Sequence, residues 1–245
     1  MAGRARLTFV ESKLFLRDPT AVFFVIALPV MLLAVFDIIS GSSTDDAATK
    51  ESMAAFVPAM AISMCVTMLA LNVLPTTLAT YREKQILRRM AASPVHPANL
   101  LFAQLLINMV TAVIAAVLVL VVGQTVFDTR VPDSVPAFLI AFFLGTWALF
   151  SVGLCVAATA PGSKAATAIG LSLLFPSLFF GGALVPKEDL PGVVGTIGDY
   201  TPLGASLEAL RNAWDGDMPS ATQLLVLVVT AVIASTVAAK FFRWE

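Results

Sequence analysis

Six apolar runs, each about as long as a bilayer core is thick, constrain this chain more than any other feature. They cover about Ala21–Ser40, Ala54–Ala79, Leu100–Gly123, Val135–Ala160, Ala165–Val185 and Thr222–Ala239. The hydrocarbon core of a membrane is about 30 Å thick, so a spanning helix needs roughly 20 mostly apolar residues. Composition agrees, since 58% of the residues are hydrophobic and 13% charged, where soluble domains carry about 25% charged. The expected fold class is all-α: a polytopic membrane protein with six transmembrane helices. No fixed-period repeat occurs, and no segment between spans is large enough for a soluble domain, so residues 1–245 read as a single membrane domain.

Charge distribution orients these spans. With both termini in the cytoplasm, the inner segments carry Arg4, Arg6, Lys13, Arg17, Arg82, Lys84, Arg88, Arg89, Lys164, Lys240 and Arg243. The outer segments keep Lys50, Arg130, Lys187 and Arg211, together with most of the acids. Lys and Arg concentrate on the cytoplasmic side of membrane proteins. The expectation is therefore a multi-pass protein of the cell (inner) membrane with both termini cytoplasmic. The charged stretch Arg4–Arg17 is too long for a signal-peptide n-region, so the first span is expected to stay as a signal-anchor.

Residues 3–17 place Leu7, Val10 and Leu14 on one helical face and Arg6, Lys13 and Arg17 elsewhere, the pattern of a basic helix lying in the membrane interface. Asp18 and Pro19 suit an N-cap and first helical position. An interfacial elbow over 1–19, with Arg17, Asp18 and Pro19 at its bend, is expected. Gly41-Ser-Ser-Thr-Asp-Asp reads as a polar outer loop, and Pro29, Pro58 and Pro75 as helix bends within the first two spans.

Two constellations stand out. The first is Tyr81-Arg-Glu-Lys-Gln-Ile-Leu-Arg-Arg-Met, helical in propensity over Thr80–Ala92, followed by Ser93-Pro-Val-His-Pro. It holds four cations and one acid, fit to dock into a soluble partner or, more simply, to enforce topology against lipid phosphates. The second is Phe175-Pro-Ser-Leu-Phe-Phe-Gly-Gly-Ala-Leu-Val-Pro, in which Gly181, Gly182 and Pro186 interrupt the fifth span. Leu190–Ile197 and Pro202–Trp214 follow as segments too short to cross. Broken apolar segments at membrane depth are tolerated only where protein or a water-filled cavity surrounds them. An outer loop on the membrane surface is the plainer alternative.

Together these runs resemble the membrane subunit of type-2 ABC exporters, and the likeness extends to Arg17-Asp18-Pro19, Phe23-Phe24 and Leu28-Pro29. The resemblance implies that residues 80–97 hold the coupling helix that contacts the ATP-binding subunit, through Arg82, Glu83, Leu87, Arg88, Arg89, Ser93, Pro94 and Val95. This chain carries Lys84-Gln85-Ile86 where many such permeases carry Lys-Gly-Thr, so the local turn is expected to differ. The resemblance further implies short re-entrant helices over 186–218 beside the exit of the pathway, with Phe179, Phe180, Gly181, Gly182, Pro186, Leu190, Pro191, Pro202, Leu203 and Arg211 matching. The implied activity is export of a hydrophobic or amphipathic substrate such as a drug, natural product or lipid. A polysaccharide or lipid-linked glycan cargo, an ion-gradient carrier and a non-transporting scaffold are the alternatives. Implied partners are two copies of an ATP-binding subunit, a second permease copy or homologue, and membrane lipid, with no nucleic acid.

No Gly-x-x-x-x-Gly-Lys-(Ser/Thr) run occurs, so ATP and Mg are expected on the partner and no cofactor on this chain. His96 is the one histidine, and Cys65 and Cys155 lie in separate spans, which leaves neither a His/Cys metal cluster nor a nucleophile with its base. No catalytic, cofactor-binding or metal residues are assigned, and the chain reads as a transporter subunit rather than an enzyme. Charges deep in spans are costly and usually functional. A gradient-driven carrier would need a group such as Asp37 or Glu208. The small residues Ala231, Ser235 and Ala239, and Ala166 with Gly170, permit close helix approach within the chain or between copies.

Overall fold

A computed structural model describes Phe23 and residues 27–43, 47–85, 98–183 and 192–241. Among these residues all regular structure is helical. In chain order it comprises α1 (Leu28–Ser43), α2 (Ala47–Met68), a π-helical segment (Leu69–Val73) and α3 (Leu74–Glu83). There follow α4 (Ala98–Val126), α5 (Val135–Thr159), α6 (Ser163–Phe180), α7 (Gly192–Asp199), α8 (Pro202–Trp214) and α9 (Ala221–Phe241). Five helical stretches among the described residues are long and apolar enough to cross a membrane: Ala54–Glu83, Leu100–Val126, Val135–Thr159, Ser163–Phe180 and Ala221–Phe241. The first expected span is represented by the 16 residues of α1. The elbow over 1–19 lies outside the described residues.

Local chemistry explains the boundaries. Ser134 caps α5, its hydroxyl accepting from the Ala137 N–H, and Pro136 occupies the first turn, where its missing N–H costs nothing. Thr201 and Pro202 repeat the arrangement at α8. Ser220 and Gln223 form a reciprocal capping box ahead of α9, with the Gln223 carboxamide taking the Ser220 N–H at 2.8 Å. The same oxygen accepts from Asn212 of α8 at 3.1 Å, which ties the two helices together.

The stretch Ala54–Glu83 is the buried centre of the bundle, with α1, α4, α5, α6 and α8 packed around it. It is continuous but changes pitch: the Leu74 N–H bonds back to the Leu69 carbonyl. Pro75 explains the change. The carbonyls of Leu71 (four residues back) and Ala70 (five back) would each look to residue 75 for a donor, and proline has none. Glycines from two neighbours press on those same carbonyls. Gly153 of α5 lies against Ala70, where a methyl would sit 2.8 Å from the carbonyl carbon, and Gly170 of α6 lies against Leu71, with 3.0 Å for the same measure.

Three expectations need correction. The polar stretch at 41–46 is shorter as a connection than expected, because α1 runs through Ser43 and α2 begins at Ala47. Ala47-Ala-Thr-Lys-Glu-Ser-Met contains no helix breaker. The fifth apolar segment ends at Phe180 rather than Val185, since Gly182 turns the chain at φ 75°. The helix expected over Thr80–Ala92 is interrupted after Glu83, where Gln85 takes the left-handed conformation at φ 54°, and residues 86–92 lie outside the described residues.

The small-residue faces are used inside the chain except at Ala239, which is exposed. Ala231 and Ala234 of α9 are buried, Ser235 shares a 2.8 Å hydrogen bond with Ser151 of α5, and the Cys155 thiol donates to the Ala234 carbonyl. Ala166 is buried with Ala79 and Ala160.

Candidate functional site at the two ends of the bundle

The end of α3 grips the turn between α5 and α6. A helix leaves its last carbonyls and its first N–H groups without intrahelical partners, and Ala160-Pro-Gly presents both sets within a few residues. Arg82 takes the first set: its Nη2 donates to the carbonyls of Ala157 (2.7 Å) and Ala160 (2.6 Å), and Nη1 reaches that of Ala158 at 3.5 Å. Glu83 takes the second, accepting from the Ser163 N–H at 2.9 Å and the Ser163 hydroxyl at 2.8 Å. The signs match the helix dipoles, a cation at the C-terminal pole and an anion at the N-terminal pole. Gly162 makes the second contact possible, because a Cβ there would press on the Glu83 carboxylate. About two turns further back along α3, the hydroxyls of Thr76 and Thr167 lie 3.1 Å apart, joining α3 to α6.

Of the residues expected to face a partner, Arg82 and Glu83 are therefore placed and both engage this chain's own turn. Leu87, Arg88, Arg89, Ser93, Pro94 and Val95 lie outside the described residues, as do Arg17, Asp18 and Pro19. The sequence signal for the α5–α6 contact was absent, since backbone carbonyls look alike whatever the side chain.

At the opposite end of the bundle, Phe179 and Phe180 close α6 with their rings edge to face, 5.5 Å apart. Gly181 abuts Leu203 and the Gly204 backbone of α8, and Gly198 of α7 abuts the Phe180 carbonyl. Gly181 and Gly182 thus turn the chain at the point where α6, α7 and Pro202 of α8 converge. Pro186, Leu190 and Pro191 lie outside the described residues.

The 13-residue α8 is too short to cross a membrane and yet nearly all buried, with Leu203, Ala205, Leu207, Ala209, Leu210, Ala213 and Trp214 in the core. It runs alongside the first half of α5. The Ser134 N–H donates to the Ala213 carbonyl at 3.0 Å, the Trp214 indole N–H donates to the Arg130 carbonyl at 2.7 Å, and Ser206 presses on Gly145. Gly145 lies about ten residues into α5, roughly 15 Å along it at 1.5 Å per residue. The N-terminus of α8 therefore starts beside the middle of a spanning helix. Glu208 and Arg211 pair at 3.2 Å, about a fifth exposed, and the Arg211 guanidinium sits 5.3 Å from the Phe56 ring centroid.

Among the described residues no cluster of His, Cys, Asp and Glu could hold a metal ion. The buried polar side chains are the neutral Ser63, Thr67, Gln104, Asn108, Thr111, Thr146, Ser151 and Ser206. Gln104 donates to the Tyr81 hydroxyl at 3.1 Å, and Asn108 to the Gln104 carbonyl at 2.8 Å. Such side chains have groups to bond and to position.

A bundle of helices long and apolar enough to cross a membrane, among the described residues, is the architecture of a polytopic membrane protein. Residues 6–214 match the model of the ABC-2 type transporter family, and the chain belongs to that family. It is a multi-pass membrane protein. Among individual proteins it is similar to the probable doxorubicin resistance ABC transporter permease protein DrrC of Mycobacterium tuberculosis, in strains CDC 1551 / Oshkosh and ATCC 25618 / H37Rv. Each is 25% identical over 228 residues, covering 89% of this chain and 78% of the relative.

Proposed function

We propose that this chain is the membrane-spanning subunit of an ATP-driven exporter in the cell membrane, moving a hydrophobic or amphipathic substrate outward while a separate subunit hydrolyses ATP. The observation that carries this reading is the family match across residues 6–214. The bundle supports it. Its buried polar residues are all neutral among those described, which suits a lipid-like or drug-like cargo. The naming of the mycobacterial relatives for doxorubicin resistance favours drug-like molecules over glycans. Two ATP-binding subunits would dock on the run 86–97, with Arg88 and Arg89 as its cations and Leu87, Ser93, Pro94 and Val95 shaping its surface. Arg17, Asp18 and Pro19 would form the elbow, and a second permease copy or homologue would complete the pathway. In this reading α7 and α8 are re-entrant helices at the outer end, with Phe179, Phe180, Gly181, Gly182, Pro186, Leu190, Pro191 and Pro202 around the exit.

The ion-gradient alternative fares worse on one point. Glu208, a carboxylate on which it would rely, is held by Arg211. Inside-out vesicles containing the chain and its ATP-binding partner test the choice. ATP should drive uptake of doxorubicin or an amphipathic dye, and a protonophore should leave that uptake intact. Uptake that needs a proton gradient and ignores ATP would refute the reading.

A further inference from the structure

We propose that Arg82 and Glu83 are positioning residues that lock the first cytoplasmic connection to the second, so that a push delivered to residues 86–97 reaches α5 and α6 as well as α3. The inference rests on the transport reading above but assigns these two residues a different task from partner docking. Their hydrogen-bonding groups are turned toward their own chain. Arg82 spends its guanidinium on three carbonyls at the end of α5, and both carboxylate oxygens of Glu83 are taken by Ser163 at the start of α6.

The arrangement is specific in sign and in shape. Exchanging the two charges would set an anion against a carbonyl-rich helix end and a cation against an N–H-rich one. Gly162 supplies the clearance that lets the carboxylate approach. Behind the pair, Ala79, Ala160 and Ala166 form one buried cluster, and Thr76 meets Thr167. Ahead of it, the Lys84 N–H bonds the Thr80 carbonyl and the Gln85 N–H bonds that of Arg82. The direction in which the chain leaves α3 is thus fixed at the same point. With α3, the end of α5 and the start of α6 joined here, the π-helical segment at Leu69–Val73 becomes the place where this unit meets the rest of the bundle.

Two measurements separate this proposal from the reading it rests on. In the isolated wild-type chain and in Arg82→Ala and Glu83→Ala, which remove the capping groups outright, amide hydrogen exchange is followed over residues 157–166. Loss of the caps should speed exchange there by roughly fivefold or more, the scale of a lost helix cap, and unchanged exchange would overturn the lock whether or not any partner binds. In the assembled transporter, both variants should retain the ATP-binding subunit and its ATPase activity while ATP-driven dye uptake falls at least about fivefold, the range of an ordinary coupling free energy. Loss of the ATP-binding subunit would instead make the pair part of the docking surface, and full uptake would remove them from coupling; either result overturns the proposal. Gly162→Ala keeps both charged side chains and displaces the carboxylate. It should give the same separation of ATPase from uptake, and it decides the matter where the alanine variants at Arg82 and Glu83 do not fold.

Discussion

The close approach of Gly153 and Gly170 to the π-helical segment makes a prediction whose sign opposes helix propensity. Alanine is better than glycine in a helix interior by about 0.8–1.0 kcal/mol, so on propensity alone Gly170→Ala would stabilise α6. The structure places the new methyl within contact of the Leu71 carbonyl oxygen, 3.0 Å from its carbon and 3.7 Å from the Asn72 Cα. Carbon atoms settle at about 3.5–4.0 Å from their neighbours and the carbonyl oxygen lies nearer still than its carbon, so α6 or the segment must yield by about an ångström or more. Overpacking of this kind costs about 1–3 kcal/mol, which leaves a net loss of about 1 kcal/mol at mid-range. Gly153→Ala, with the Ala70 carbonyl carbon at 2.8 Å, should sit at the upper end of that range. The two glycines flank successive carbonyls from different helices, so the segment has little room to retreat. The double variant should therefore lose more than the sum, by about 0.5 kcal/mol or more, as expected of sites sharing a partner. The assay is thermal loss of monodispersity in mild detergent for wild type, both singles and the double. A Gly170→Ala protein at least as heat-stable as wild type would refute the packing argument.

Two further predictions concern single residues. Gln85 adopts φ 54° at the end of α3, a conformation that costs a side-chain-bearing residue about 1–2 kcal/mol, so Gln85→Gly should raise thermal stability in the same assay; a fall would show that the Gln85 side chain contributes more than the backbone conformation costs. Trp214 is fully buried, edge-on to Phe138 at 5.7 Å, and donates to the Arg130 carbonyl; Trp214→Phe should lose about 1–3 kcal/mol through the unpaired carbonyl, visible as earlier thermal aggregation, and an unchanged midpoint would mean the carbonyl finds another donor.

Much of the architecture was legible because bilayer thickness writes itself into the chain. Val135–Ala160 and Thr222–Ala239 were expected as spans, and the helices run over Val135–Thr159 and Ala221–Phe241. Thr201-Pro202 announced the start of α8 and Trp214 its end. The π-helical segment was not legible. Pro75 announced a bend, but whether a freed carbonyl produces a kink or a wider turn depends on what lies opposite, and Gly153 and Gly170 are some 80 to 100 residues away in the chain. Arg82 and Glu83 were expected to face a partner subunit, and a charge pattern implies a partner without saying which. Here the partners of these two are backbone groups at helix ends together with the Ser163 hydroxyl, and backbone groups leave no mark in a pattern of side chains. Gln85 illustrates a middle case, since the departure at Lys84-Gln85-Ile86 from the resembled pattern announced a different local turn without saying which, and Gln85 takes a left-handed conformation at φ 54°.

The account's central claim is that the chain exports by borrowing ATP hydrolysis from a separate subunit docked on residues 86–97. Purification of the tagged chain from native membranes in mild detergent, with partners identified by mass spectrometry and ATPase activity assayed, tests it most directly. The account predicts a stoichiometric ATP-binding subunit that is lost when Arg88→Glu and Arg89→Glu are combined in a correctly inserted chain. An intact, folded wild-type protein that brings down no such subunit and supports no ATPase activity would contradict it.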